Sequence, residues 1–446
     1  MSETTTPTLP FEAAYERLAA EQADAPAWLG AFREAGMTKF RALGLPGPKD
    51  EDWLYTNVTP LKRASFPAAP AASMVPDSLA AHRFALGLDD TPRLVFLNGR
   101  FEASLSLVEG LPEGVVLTNL ASAMEDEAVR AHVGTVADAG VHPFAALNEG
   151  FLQDGAYVHV PKNVVVDAPI QLLFLHHPAG EAVAVHPRIV VRAETGSEAT
   201  IVERYGIDCI GALADGTCLT NTVSEYDVAA NASLKVVRVQ REGTRTYHIG
   251  LTAVRQARDS RFHSTAVSVG GAIDRNEAQV QLLESGAACT LNGLYVISNK
   301  EHNDNHTIVR HAVPHCESDQ LFKGILGGQS RGAFTGRVIV DPQAQKTEAT
   351  QANHNLLLSR EAVAETRPQL EIYADDVKCA HGATIGRLDE DALYYLRSRG
   401  IGPIRSRNLL VHAFASEITE AVGQEDITAG LEALLAARLE TGSQED

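Results

Sequence analysis

The sequence predicts a mainly β chain whose centre is a parallel β-solenoid, with helical segments before and after it. Three observations predict this. From about Arg93 onward the chain is a succession of short β-rich runs, among them GAYVHVPKNVVV, PRIVVRA, ASLKVVRVQ, AQVQLLE and GAFTGRVIV, each punctuated by Gly, Asn, Asp or Ser. Small-turn openings recur at Gly196-Ser197, Asn231-Ala232, Asp259-Ser260, Gly286-Ala287 and Glu317-Ser318, in steps of 35, 28, 27 and 31 residues, close to one rung of a β-helix. No long helices separate these runs, which argues against a doubly wound α/β sheet. A β-sandwich or jelly roll is the rival architecture, since short turn-punctuated strands suit either.

Taken in order, residues 1–90 read as a helical N-terminal region. Phe11, Tyr15, Leu18 and Ala19 recur at helical spacing, and Pro26 precedes a second apolar series of Trp28, Leu29, Phe32 and Phe40. LGLPGPKDEDWLYTNVTPLKR is rich in turn formers and reads as an ordered loop, and FPAAPAASMVPDS as a flexible spacer. Residues 91–384 hold the β core. It opens on a hairpin around Asn98-Gly99 and carries a partly helical insertion at about 118–150. Residues 385–446 return to helix: Asp389 is an N-cap, Gly400 a C′ residue, and Pro403 opens the next helix. Leu410, Val411, Phe414, Ile418 and Val422, then Ile427, Leu431, Leu434, Leu435 and Leu439, form apolar faces that cap the solenoid or dock a partner.

Charge and cysteine content restrict the function. A net charge of −19, with 38 basic against 57 acidic residues, argues against nucleic acid and anionic membranes as partners. No apolar run is long enough to span a bilayer, and the first residues lack a secretory pattern, so the expectation is a soluble cytoplasmic protein. Cys209, Cys218, Cys289, Cys316 and Cys379 are widely spaced, which suggests neither a disulfide framework nor a zinc ribbon.

Two clusters carry ligand-type side chains. EHNDNHTIVRHAVPHCESDQ holds His302, His306, His311, His315 and Cys316, but strand alternation keeps these groups from converging, and a structural role for them is the plainer reading. Cys379 and His381, two apart in extended backbone, share a face; a neighbouring imidazolium can lower a thiol pKa, and Asp375 and Asp376 can orient the histidine or cap a turn. Gly328-Gln329-Ser330-Arg331-Gly332 matches GxSxG, yet a strand rather than a helix follows it. There is no Gly-Lys dipeptide and hence no P-loop, and no catalytic residue is assigned. A polysaccharide-acting β-helix would need a groove of carboxylates or aromatics, and a metal hydrolase would need the His302–His315 cluster to converge.

The tail YADDVKCAHGATIGRLDEDALYYLRSRGI resembles the C-terminal signature of SufD-type members of the SufB/SufD family. HTIVRHAVPHCESDQLFKGILGGQSRGAFTGRVIVDPQAQKTEATQANHNLLLS is similar to the shared core of that family, and DEDWLYTNVTPLKR to its SufD-type Trp-x-Tyr-Thr segment. The resemblance implies a right-handed parallel β-helix flanked by helical domains, which favours the solenoid over the sandwich. It implies an assembly with SufB, paired through the β-helices, and with the SufC ATPase, held by the C-terminal helices. Within those helices Asp389, Leu393, Tyr394, Tyr395, Arg397, Arg399 and Phe414 are the expected SufC-binding residues. It also implies that His381, with Cys379 as a secondary thiol, lies at the SufB interface and supports a transient Fe–S cluster shared between the chains; His381 is the expected metal-contacting residue, and no stable cofactor is expected on the isolated chain. Exposed β-helix edges allow a homodimer when the chain is alone. The sequence departs from the family at Ala380, where Ser or Thr is usual, and at Arg405 and Arg407, where acidic or polar residues are expected.

Overall fold

In the computed structural model, which describes residues 11–22, 25–47, 49–63, 66, 86, 88–176, 182–207 and 217–442, the β-rich runs coil into a parallel solenoid. Residues 67–78 of the expected spacer, and Cys209, lie outside the described residues. The strands are β1 (Arg93–Leu97), β2 (Arg100–Phe101), β3 (Val116–Asn119), β4 (Gly155–Val160), β5 (Ile170–His176), β6 (Val183–Val185), β7 (Arg188–Ala193), β8 (Glu198–Ile207), β9 (Cys218–Val228) and β10 (Ser233–Arg241). They continue with β11 (Thr246–Gln256), β12 (Arg261–Ser268), β13 (Ile273–Leu282), β14 (Ala288–Ile297), β15 (His302–His311), β16 (Glu317–Leu326), β17 (Arg331–Val340), β18 (Glu348–Leu357), β19 (Val363–Ile372) and β20 (Lys378–Gly386). From β7 onward, successive strands alternate between two sheets, so each coil gives one strand to each. One sheet ends on β16-β18-β20 and the other on β15-β17-β19. The sandwich alternative is thereby excluded, because neighbours in each sheet are parallel and come from successive coils.

The recurring turns form one corner of the coil. Asn163, Gly196, Asn231, Asp259, Gly286, His315 and Lys346 all have positive φ, between 54° and 79°. Each donates its N–H to a carbonyl at the same corner of the following coil, as in Gly196 N to Ala230 O at 3.0 Å, Asn231 N to Arg258 O at 2.8 Å and Asp259 N to Ser285 O at 3.1 Å. Gly, Asn and Asp enter the left-handed region at little cost, which is why the sequence shows them there. The fifth expected turn sits at His315 rather than Glu317, so a histidine of the candidate cluster is a corner residue. The Asn98-Gly99 hairpin is as expected, with φ of 47° and 78°.

Both outer faces of the solenoid are covered. The helices Glu12–Glu21 and Ala27–Leu43, the segment around Trp53 and the helix Pro143–Gly150 bury Leu219, Val223, Ile249, Leu251 and Ile273 of the second sheet. The helix Ala27–Leu43 approaches Pro143–Gly150 so closely that a Cβ on Gly36 would stand 2.5 Å from Glu149 Cβ. The ordered loop is ordered for a stated reason: Trp53 lies on the Arg275 guanidinium, 4.0 Å from it, and Thr56 bonds His302 and Asp304.

On the first sheet, the C-terminal helices Pro403–Glu420 and Glu425–Gly442 cover Val202, Val237, Val239, Val267, Leu294, Val296 and Ile325 with Val411, Ala415, Ile418, Ile427, Leu431 and Leu435. Their entry is built as the sequence indicates. Asp389 caps the helix Glu390–Ser398 by accepting from Asp391 N (2.8 Å) and Ala392 N (3.2 Å). Gly400, at φ 82°, closes it while Ile401 N reaches Leu396 O and Gly400 N reaches Arg397 O, a Schellman pair.

Candidate functional site

Among the described residues, nothing covers the last coil of the solenoid. β19 and β20 are the last strands of their sheets, and the outer edge of each is unpaired among the described residues. On β18, alternate residues Ala349, Gln351, Asn353 and Asn355 face the lumen and are buried. The register Ala349↔Cys379, Gln351↔His381 and Asn353↔Ala383 carries that face onto β20. Cys379 and His381 therefore share the lumen side, as expected, at the mouth of an open tube. They differ in surroundings: Cys379 packs half-buried against the cluster of Val338, Val340, Ala344, Ala349 and Ala374, whereas His381 is exposed. Around the mouth stand the exposed apolar side chains Ile372, Tyr373 and Ile385.

One expectation about this pair is corrected. Burial pushes the Cys379 thiol up, only partly offset by the Ala349 backbone, so the thiol is held protonated rather than activated by its neighbour. Of the two roles open to the aspartates, Asp376 takes the turn. Asp376 pairs with Lys346, and its N–H donates to Gln345 Oε1 at 2.8 Å, so it fixes the turn before β20. Among the described residues the His381 ring has no hydrogen-bond partner.

The His302–Cys316 group does not converge. Nδ1 of His306, on the outer face of β15, lies 2.9 Å from the Arg275 guanidinium and 3.6 Å from Glu277, while Nε2 of His302 is 2.9 Å from the Thr56 hydroxyl. His311 faces the lumen and meets the Ser318 hydroxyl at 2.9 Å. His315 turns the corner, and the Cys316 thiol is 3.4 Å from Glu284 O. Among the described residues, no three His, Cys, Asp or Glu side chains gather to hold a metal. Ser330 of the GxSxG match is buried in the turn before β17, with a strand following it.

The sequence reading missed that the lumen changes character along its length. Early coils are filled by apolar and aromatic side chains, including the stacked series Phe96, Phe174 and Tyr205 with ring centres 4.8 and 5.2 Å apart. Later coils are lined by amides and hydroxyls: Asn303 donates to Asp274 (2.9 Å), Asn305 to Asn303 (2.6 Å), Thr307 to Gln320 (2.6 Å) and Asn355 to Asn353 (2.7 Å). Between them Glu242 is buried against His248 Nδ1 at 2.7 Å and His176 Nε2 at 3.2 Å. Burial alone would raise that carboxyl, but the two imidazoles hold it well below the usual range. The signal was present in EATQANHNLL, whose lumen positions are Ala, Gln, Asn and Asn.

A second surface lies on the C-terminal helices. Tyr394 (76% exposed) and Tyr395 (57%) project from the helix Glu390–Ser398, Ile404 and Leu409 are exposed on the next helix, and an open groove of about 750 Å³ runs past Ile404, Arg405, Asn408, Leu409, His412 and Ala436. Arg399 stacks on Tyr395 at 4.9 Å, and Arg397 is exposed. Three of the expected binding residues serve the fold at least in part: Asp389 is the helix cap, Leu393 is half-buried, and Phe414 packs under Lys323, whose Nζ is 4.7 Å from the ring centre.

Residues 175–414 match the model of the SUF system FeS cluster assembly SufBD core domain, and residues 11–172 that of the SufBD protein N-terminal region. An iron–sulfur cluster assembly SufBD family protein of Synechocystis is 35% identical over 396 residues, covering 87% of this chain and 86% of the relative. The iron–sulfur cluster assembly protein SufD of Escherichia coli is 33% identical over 405 residues (90% and 91%), and that of Bacillus subtilis 26% over 425 residues (93% and 94%). This parallel solenoid with helices over both outer faces, matched by two family models over most of its length, belongs to the SufBD family of the SUF iron–sulfur cluster assembly system.

Proposed function

We propose that this chain is the SufD-type subunit of a cytosolic SufB–SufC–SufD scaffold, which supports de novo assembly of an Fe–S cluster and leaves ATP hydrolysis to SufC. The observation that carries the reading is the open coil: two unpaired strand edges frame His381 and Cys379 at a mouth that one chain leaves unfinished. A partner solenoid that continues the two sheets covers the edges and brings its own ligands opposite His381. The cluster is cargo. A neutral imidazole contributes one exchangeable ligand to it, which suits a scaffold that must release what it builds. Cys379, protonated in its apolar setting, acts as a packing residue and a reserve thiol. When SufB is absent, the same edges serve a second copy of this chain.

SufC docks on the exposed aromatic and aliphatic patch of residues 385–446. Tyr and Arg at the centre of such a patch are the residue types that dominate binding energy. Removing residues 385–446 is a poor test, because it strips the cover from Val202, Val237, Val239 and Val267. Tyr394→Ser with Tyr395→Ser leaves that cover in place. The double variant is expected to weaken SufC capture by on the order of 10–100-fold, at about 1–3 kcal/mol for truncating such anchors, with unchanged thermal stability. Undiminished capture sinks the assignment of the patch.

The site itself is tested by an anaerobic pull-down with SufB and SufC, comparing wild type with His381→Ala. The variant is expected to assemble normally, since His381 is exposed, and to lose cluster formation. Normal cluster yield from the variant removes His381 from the mechanism, and failure of the wild type to capture SufB removes the shared mouth.

A further inference from the structure

One buried amide beneath the mouth stands out. Gln351 is only 2% exposed, yet among the described residues neither its carboxamide oxygen nor its nitrogen has a hydrogen-bond partner. An unsatisfied buried amide is costly, so its presence asks for a use. Its place in the fold supplies one. Gln351 is the register partner of His381 on the adjacent parallel strand, both on the lumen side, and adjacent strands lie about 4.8 Å apart. Space for the amide to lie across the lumen comes from Gly336 on β17, where a Cβ would stand 2.3 Å from Gln351 Nε2. Beneath it, in register, is Gln320, whose oxygen accepts from Thr307 at 2.6 Å while its nitrogen is unpartnered. On the opposite wall, the Thr366 hydroxyl of β19 is also without a partner. Polar groups with spare bonding capacity thus collect under the one imidazole at the opening.

We infer that Gln351 is a positioning residue for His381: its carboxamide, which lies across the lumen against Gly336 and is not bonded to the ring in this structure, turns toward β20, bonds the inner ring nitrogen, fixes the tautomer and sets the other nitrogen out of the mouth. This deepens the proposed function and takes its meaning from it. An imidazole that offers a lone pair on one nitrogen must hold its proton on the other, and a carbonyl acceptor behind the ring is the usual means. The acceptor must come from the covered side, because the other side is where the partner chain arrives. Gln351 is the lumen-facing residue paired with His381 on that side. Its amide offers both an acceptor and a donor, and here the acceptor oxygen does the work, with the nitrogen left to meet Gln320 or Thr366.

The test compares wild type, Gln351→Met and Gln351→Glu. Met keeps the length without polarity, and Glu keeps an acceptor. Full-length protein labelled with ¹⁵N-histidine is examined at pH 8 by long-range ¹H–¹⁵N correlation, with the His381 ring assigned by its loss in His381→Ala. Wild type and Gln351→Glu are expected to show one dominant tautomer, and Gln351→Met an averaged pair, with the remaining histidines unmoved as a check on folding. In cluster assembly with SufB and SufC, Gln351→Met is expected to lose about tenfold, and no further loss is expected when it is added to His381→Ala. Averaged shifts in wild type, or an unaltered tautomer in Gln351→Met, overturn the inference. If the tautomer changes but His381→Ala assembles clusters normally, Gln351 positions the ring and the proposed function is what fails.

Discussion

Glu225→Ala is expected to destabilise the protein by about 3–5 kcal/mol, the range for removing one partner of a buried ion pair. Glu225 and Arg188 have fully buried side chains, with Arg188 Nε 2.7 Å from the carboxylate. The same carboxylate accepts from the N–H groups of Gly134 (2.9 Å), Val136 (2.7 Å) and Ala137 (3.2 Å), and so ties the insertion between β3 and β4 to the outer face of the solenoid. Alanine leaves a guanidinium buried without its counter-charge and three backbone donors without an acceptor. The double variant Arg188→Met, Glu225→Leu is expected to recover part of the loss, because the charge is gone, but not all, because the backbone donors still lack acceptors. Thermal denaturation of the three proteins measures both effects. A single variant as stable as wild type means that the insertion is held by its apolar contacts alone.

Mild acid is expected to weaken the fold through two buried histidines. Burial pushes His186 down to about 3 and His311 to about 4, from an ordinary value near 6.5. His186 stacks on Phe151 at 4.7 Å and meets Asn221, while His311 faces the lumen. Both are neutral in the folded protein and charge readily once unfolded, so the unfolded chain binds more protons as the pH drops. Their stabilisation is complete above about pH 6.5 and is lost as the pH falls toward 4 for His311 and 3 for His186, on the order of 3 and 5 kcal/mol respectively. Denaturation midpoints measured between pH 7.5 and 4.5 should therefore fall steadily, and His311→Gln should flatten the slope by about one proton. A variant slope equal to that of wild type would show that His311 does not titrate on unfolding. The Glu242 and Glu277 carboxyls, held well below the ordinary range by the histidines beside them against the effect of burial, add their loss only at still lower pH.

The corners of the coil were legible because the left-handed region admits few residue types, so Gly196, Asn231, Asp259 and Gly286 announce themselves. The helix boundaries at Asp389, Gly400 and Pro403 were legible for a similar reason, since orphan backbone groups demand particular chemistry. The faces of the strands were not. In a sheet with one wet side, polarity marks the outside, but here helices bury the outer faces and the lumen buries the inner ones. Leu251 beside Thr252, or Asn305 beside His306, cannot then be sorted by character. This is why the polar lumen and Gln351 went unread, and why the Cys379 thiol was given the wrong direction. His381 itself was legible only through a longer motif, because an exposed histidine on a terminal strand has no local signature.

The last coil also has a thermodynamic consequence. In a solenoid each coil is held mainly by its neighbours, so local opening free energy falls toward a coil with only one neighbour. Amide hydrogens of β19 and β20 should exchange soonest among the strands and slow by the largest factor when a second solenoid is added, while those of β11 and β13 hardly change. The residues proposed to meet the cargo therefore sit on the rung expected to open first, and in the proposed assembly it is association, not folding alone, that stiffens them.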